Sequence, residues 1–176
     1  MRAAVLREFG APLVLEERPE PVARGDEVVV RVRGAGVCRS DLHIVDGGYP
    51  QIPLPLVPGH EIAGEVAGIG DVLVHAAWGC GQCSFCRGGN EQLCSLAAEA
   101  GWGRDGGYAD AVLVPSPRYL LPLDGIDPAT AAPLADAGLT PFRAGRACAR
   151  HSAPARPPSS SARAGSGSSR SSTSGS

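Results

Sequence analysis

Trp78 to Cys94 reads WGCGQCSFCRGGNEQLC, and it holds four of the chain's six cysteines. Cys80, Cys83, Cys86 and Cys94 give the spacing C-x2-C-x2-C-x7-C. Four thiolates fill a tetrahedral zinc shell and leave no place for water, which is what a structural site requires. The glycines among the cysteines let the backbone turn between ligands, and a segment with Phe85 as its one ring inside the loop cannot hold itself together by burial. The spacing predicts a zinc-clamped lobe over residues 79–95. A disulfide pair is the first alternative, but Met1-Arg2 leads into only a few apolar residues before Arg7-Glu8, which is no secretory signal and points to a reducing compartment, the cytoplasm. An iron–sulfur cluster is the second. A ferredoxin-type run places its fourth cysteine four residues after the third and follows it with Pro, whereas Cys94 lies eight residues on and precedes Ser95.

At 176 residues, with 43% hydrophobic side chains, the chain has material for one or two packed domains. No apolar run reaches the length of a membrane span. The net charge of −2 conceals a division: all 18 acidic residues lie before position 143, whereas residues 143–176 carry Arg and no acid. A mildly acidic body with few aromatics offers nucleic acid no basic surface. Lys is absent throughout, which fits a GC-rich gene.

The opening segments read as β structure. Ala3 to Leu6 and Leu13 to Glu16 are short apolar runs separated by Gly10 and Pro12, and Glu27 to Val37 alternates Val30 and Val32 with Arg31 and Arg33. The period changes at Cys38, with Ser40 as the expected N-cap of a short helix ending near Gly47-Gly48. A Pro-rich loop follows to Pro58, then strand candidates from Glu61, at Val72 to Ala76, Tyr108 to Pro115 and Tyr119 to Leu123. Asp127-Pro128 is an N-cap followed by Pro at the first helical position, and another helix is expected to begin at Thr140-Pro141. Residues 144–176 are expected to be disordered: their Ser, Arg, Gly and Pro cannot bury enough surface to offset chain entropy.

Cys38 and His60 are each unremarkable alone. Together, from two strand ends, they offer donors suited to a catalytic zinc if a third ligand exists and one position stays open. Ser40 and His43, three apart on a helix, face the same way and can form a proton path.

GAGVCRSDLH (Gly34 to His43), PLVPGHEIAGEV (Pro55 to Val66), the four-cysteine lobe, RDGGYADAVLVP (Arg104 to Pro115) and LADAGLTPF (Leu134 to Phe142) occur in that order. In combination they resemble zinc-dependent alcohol dehydrogenases of the medium-chain family. The resemblance covers residues 1–143 and implies a mainly β, GroES-like, partly open barrel with short helices and a cysteine lobe. It implies that Cys38, His60 and Asp136 bind a catalytic zinc, with Glu61 beside the metal, and that Cys80, Cys83, Cys86 and Cys94 bind a structural one. It further implies that Ser40 passes the alcohol proton to His43, and that Tyr49 and Trp78 line the substrate pocket. The implied reaction is oxidation of a small or medium alcohol to an aldehyde or ketone, with hydride passing to NAD or NADP. Members are homo-oligomers. A zinc-free quinone reductase relative is disfavoured by the cysteine lobe.

Two departures from the pattern stand out. The link between Glu65 and Val72, VAGIGDV with its flanks, is shorter than in relatives and is expected to strain the barrel wall. Members also continue into a Rossmann domain, where a strand ends in G-x-G-x-x-G and opens a helix. Gly68-Ile69-Gly70 lacks the third Gly and Gly165-Ser166-Gly167 has no preceding strand, so no cofactor-binding residues are assigned. Back-translated with GC-rich codons and read from the third base, Pro158 onward decodes as VVVGPGRLGLIAVQ, or with Gly for Arg, a strand followed by that fingerprint. Residues after about Arg143 thus read as an out-of-frame Rossmann domain. The alternative function is a catalytically silent zinc-binding fragment, unable to form the usual dimer, with uncovered apolar surface around Ala129 to Phe142 and a need for zinc in order to fold.

Overall fold

A computed structural model describes residues 1–151, without the side chains of residues 150 and 151. The expected disorder and frameshift of the tail therefore fall largely outside the described residues. The strands are β1 (Arg2–Val5), β2 (Val14–Glu17), β3 (Val28–Gly36), β4 (Glu61–Val66), β5 (Gly70–Val74), β6 (Ala77–Trp78), β7 (Ala98–Glu99), β8 (Ala111–Val114) and β9 (Leu120–Pro122). The helices are α1 (Arg39–Val45), α2 (Ser84–Arg87), α3 (Pro128–Ala131) and α4 (Leu139–His151). A five-stranded antiparallel sheet runs in the order β8-β3-β4-β5-β9, with separate hairpins β1-β2 and β6-β7.

Val30 of the alternating strand β3 joins Ile62 and Val66 of β4 and Val72 and Val74 of β5, where they meet Val112, Val114, Tyr119 and Trp78 in the main core. β4 is buried on both faces except at Glu65. Its other face carries Ala63, packed against Leu123, Ala131 and Ala132. Small residues make that approach possible: a Cβ on Gly34 would stand 2.8 Å from the Ala129 Cα and the Pro128 carbonyl. Asp127 caps α3 as expected, accepting the Ala129 N–H at 3.3 Å, and Pro128 opens the helix.

Three expectations are corrected. The short link between β4 and β5 carries no register fault, because Val66 pairs directly with Gly70. Gly68 (φ +78°) and Gly70 (φ +102°) take the left-handed conformations of the tight turn, so the barrel wall closes without the expected strain. The N-cap of α1 is Cys38, not Ser40, since the Asp41 carboxylate reaches back to the Cys38 N–H at 2.9 Å. Finally, order does not stop at Arg143: α4 continues to His151, through Arg and Ala residues that favour helix. No helix among the described residues is long and apolar enough to cross a membrane.

Candidate metal centres

The cysteine lobe is an excursion between the paired strands β6 and β7, where Ala77 faces Glu99 and Trp78 faces Ala98. Cys80, Cys83, Cys86 and Cys94 converge with all four sulfur atoms within 4.8 Å of one another, and all are free thiols. The Cys83 to Cys86 sulfur distance is 3.5 Å and the Cys80 to Cys86 distance 3.9 Å. Zinc–sulfur bonds of about 2.3 Å in a tetrahedron give sulfur–sulfur edges of about 3.8 Å, so the donor set fits such an ion. N–H groups of Gln82 and Cys83 aimed at Cys80 lower its pKa to about 6, whereas burial pushes Cys86 up to about 12. The contrast is that of thiols brought together, where one ionises readily and the next resists until a cation compensates. Arg118 anchors the lobe to the barrel. Its Nη2 donates to the Gly79 carbonyl at 3.2 Å and pairs with Glu91 Oε1 at 2.9 Å, while the Tyr119 hydroxyl donates to the same carbonyl at 3.0 Å.

The second group forms where two neighbouring strands end. Gly36 of β3 pairs with Glu61 of β4, which brings Cys38, two residues beyond β3, next to His60, one residue before β4. Asp136 arrives from the other side, delivered by α3 and the 3-10 turn Ala132–Ala135 that pack on β3 and β4. Asp136 Oδ2 lies 3.3 Å from Cys38 Sγ and 3.3 Å from His60 Nε2. Edges of about 3.3–3.5 Å are those of a tetrahedral zinc with thiolate, imidazole and carboxylate ligands. The three residues named from the sequence are thus brought together, and they can hold a metal with a fourth position open.

Behind this triad Asp41, only 2% exposed, accepts the Cys38 N–H at 2.9 Å and the Gly59 N–H at 3.3 Å. His60 Nδ1 lies 3.3 Å from Asp41 Oδ1, close enough for an ion pair but misaligned for a hydrogen bond. Distance therefore supports charge pairing more firmly than directional bonding. Without a metal, the Asp41 carboxylate raises His60 to about 10 against the opposing effect of burial. Burial pushes Asp41 up, yet His60, the Cys38 N–H and the Tyr108 hydroxyl together hold it below the ordinary carboxylate value.

Glu61 stands beside the triad. Its Oε1 accepts the N–H of Ala137 at 3.0 Å, which fixes the residue following Asp136. Ser40 Oγ is 3.7 Å from Cys38 Sγ and lines a cleft of about 250 Å³ shared with His60, Asp136, Trp102, Glu99 and His75. His43 is exposed, and among the described residues no hydrogen bond joins it to Ser40. Trp78 is not on the cleft wall: it is 3% exposed in the main core, its indole N–H donating to the His75 carbonyl at 2.9 Å. Trp102 occupies the wall instead, with Tyr49 behind it at a ring separation of 4.4 Å. A larger cavity, about 980 Å³, lies between His75 and α4 and shares Leu139 and Gln92 with the cleft, but it touches none of the three ligands.

Sequence reading left Asp41, Tyr108 and Trp102 without roles. It also passed over Gly101 to Gly106, GWGRDG, which matches the letters G-x-G-x-x-G. No helix follows it, and Gly101 and Gly106 serve packing: a Cβ on Gly101 would lie 2.7 Å from the Gly59 nitrogen and one on Gly106 2.1 Å from the Gly59 carbonyl oxygen.

Residues 24–125 match the family described as the alcohol dehydrogenase GroES-like domain. The chain is 39% identical over 150 residues to a D-arabinose 1-dehydrogenase (NADP(+)) of Saccharolobus solfataricus, covering 79% of this chain and 43% of the relative. It is 39% identical over 164 residues to an NAD-dependent alcohol dehydrogenase of Sulfurisphaera tokodaii, covering 83% and 47%. Among solved structures, the alcohol dehydrogenase of the archaeon Aeropyrum pernix superposes with a TM-score of 0.76 at 36% identity, over 85% of this chain and 48% of that one. The chain spans about half the length of the curated relatives it matches. By its matched residues and its barrel, the chain belongs to the alcohol dehydrogenase GroES-like domain family.

Proposed function

We propose that this chain is the substrate- and metal-binding part of a zinc-dependent alcohol dehydrogenase that oxidises small or medium alcohols to aldehydes or ketones with NAD or NADP as hydride acceptor. The observation that carries the reading is the convergence of Cys38, His60 and Asp136 at one end of a cleft. The dehydrogenase relatives support it. A zinc ion held there supplies Lewis acidity that lowers the pKa of an alcohol hydroxyl. Ser40, on the cleft wall, takes up the hydroxyl proton as it passes its own to His43, which is exposed and releases it to solvent; a bridging water completes the path, since among the described residues no hydrogen bond joins the two side chains. Glu61 keeps the Asp136 loop seated through Ala137. Cys80, Cys83, Cys86 and Cys94 hold the second zinc as a structural ion.

A second reading is a metal-binding domain without turnover by itself, since the chain spans about half the length of the dehydrogenases it matches. Incubating the zinc-loaded chain with ethanol, propan-2-ol or benzyl alcohol and NAD or NADP separates the two. Growth of reduced-cofactor absorbance supports the dehydrogenase reading, and two bound zinc ions without turnover support the second. The out-of-frame reading of the segment after about Arg143 is tested by resequencing from codon 130 past codon 176. A corrected frame must encode a VVVGPG-like strand, and a shifted frame with no coding path overturns the idea.

A further inference from the structure

The buried carboxylate of Asp41 has one more partner. Tyr108, just ahead of β8, donates its hydroxyl to Asp41 Oδ2 at 2.9 Å, with the Gly36 carbonyl a longer 3.2 Å away. The shorter and charged acceptor holds the proton more strongly. Asp41 is thereby fixed from the Cys38 N–H, the Gly59 N–H and Tyr108, on the side of His60 opposite Asp136.

The ring of Tyr108 is itself held. The Tyr108 N–H donates to the Pro58 carbonyl at 3.1 Å, Gly107 to Gly59 at 2.8 Å and Gly106 to Val57 at 2.7 Å, so residues 106–108 run alongside the segment that carries His60. Gly59, at φ +95°, leaves the space the ring fills: a Cβ there would be 2.6 Å from Tyr108 Cδ1. Gly59 is therefore glycine for two reasons, its backbone angle and the ring pressed on it.

We propose that Tyr108 is a positioning residue of the three-ligand centre, acting through Asp41 on the imidazole of His60. A metal at Nε2 places the ring proton on Nδ1, 3.3 Å from Asp41 Oδ1, and a carboxylate held in place there favours that tautomer by its charge. Among the described residues the Tyr108 hydroxyl bonds to the Gly36 carbonyl and Asp41 rather than to a ligand's donor atom, and Tyr108 does not line the cleft, so its influence is on ligand geometry. The proposal rests on the metal reading above.

The test is cobalt(II) titration of the full 176-residue chain as wild type and Tyr108→Phe, following the visible d–d bands. Each titration is repeated in a Cys38→Ser background so that the four-cysteine lobe is read alone. Phe keeps the ring on Gly59 and removes only the hydroxyl. The expected result is an affinity at the three-ligand centre lower by about 10-fold or more, with shifted bands, and an unchanged lobe, since loss of such outer partners costs roughly 10–100-fold. Tyr119→Phe, which removes a hydroxyl donated to Gly79 at 3.0 Å on the lobe side, leaves the bands of the centre where they are. Unchanged affinity and bands in Tyr108→Phe overturn the positioning role while the metal reading stands. Equal loss at both sites overturns it as well, because that is the mark of a fold defect. A wild-type chain that binds no cobalt outside the lobe overturns the metal reading and this proposal together.

Discussion

Replacing Gly59 with Ala strikes the segment that carries His60, and its cost can be worked against an internal reference. Gly68, in the turn between β4 and β5, has φ +78° and nothing within 4 Å of an added Cβ, so Gly68→Ala reports the backbone term alone. That term is about 1–2 kcal/mol for an L residue in the left-handed region, offset by about 0.4–1 kcal/mol from the stiffer unfolded chain, a net cost of about 1 kcal/mol. Gly59, at φ +95°, carries the same term and adds a collision at 2.6 Å with the Tyr108 ring, which the ladder to residues 57–59 keeps from retreating. Overpacking of this kind adds about 1–3 kcal/mol, giving about 3 kcal/mol for Gly59→Ala. With a urea dependence of about 2 kcal/mol per molar, the midpoint falls by about 0.5 M for Gly68→Ala and about 1.5 M for Gly59→Ala. Urea unfolding of the metal-loaded chain, followed by far-UV circular dichroism, measures both. Equal shifts, or a smaller one for Gly59→Ala, refute the collision and with it the seating of Tyr108 on the His60 segment.

Three further outcomes are expected. Arg118→Ala removes the link to the Gly79 carbonyl and to Glu91; because the side chain is 43% exposed the stability loss is only about 1 kcal/mol, while metal leaves the cysteine lobe several-fold faster in a chelator chase. Asp110 is held below the usual Asp value by the Arg2 N–H and then by its guanidinium, so its contribution is present above the unfolded pKa of about 4 and is lost as pH falls through the lower folded value. The gap in urea midpoint between wild type and Asp110→Asn should therefore be larger at pH 7 than at pH 3, and a gap independent of pH contradicts the pairing. A strong chelator should lower the melting temperature of the chain, because two ligand clusters hold loops with little core of their own; a sharp transition unmoved by chelator contradicts this.

How much of this was legible in the sequence depended on the range of the signal. The cysteine lobe was readable because its four ligands lie close together in the chain and few other structures need that spacing. The long strands were readable from the alternation of Val30, Val32 and their neighbours, and the cap at Asp127-Pro128 from two adjacent residues. Cys38 and His60 could be read as a pair of donors at two strand ends, but Asp136 and the assignment of the three as one set came through family resemblance, since nothing local announces that β3, β4 and the turn after α3 end at one point. β6 and β7, two residues each, have no period to detect and exist because the cysteine lobe must leave and return somewhere. Composition cannot say which of two tryptophans faces the cleft: Trp78 is drawn inward by the core around Ile62 and Trp102 is not. Asp41 and Tyr108 were illegible for a similar reason, as a carboxylate and a phenol 67 residues apart carry no mutual signature until the backbone places them 2.9 Å from one another.

The central claim is that one chain holds two separate metal centres, and elemental analysis tests it most directly. Zinc is counted per chain, after exhaustive dialysis, in wild type, His60→Ala and Cys86→Ser. The account predicts two zinc ions in wild type and one in each variant, with the losses at different sites. A wild-type chain with a single zinc that His60→Ala leaves in place would contradict it.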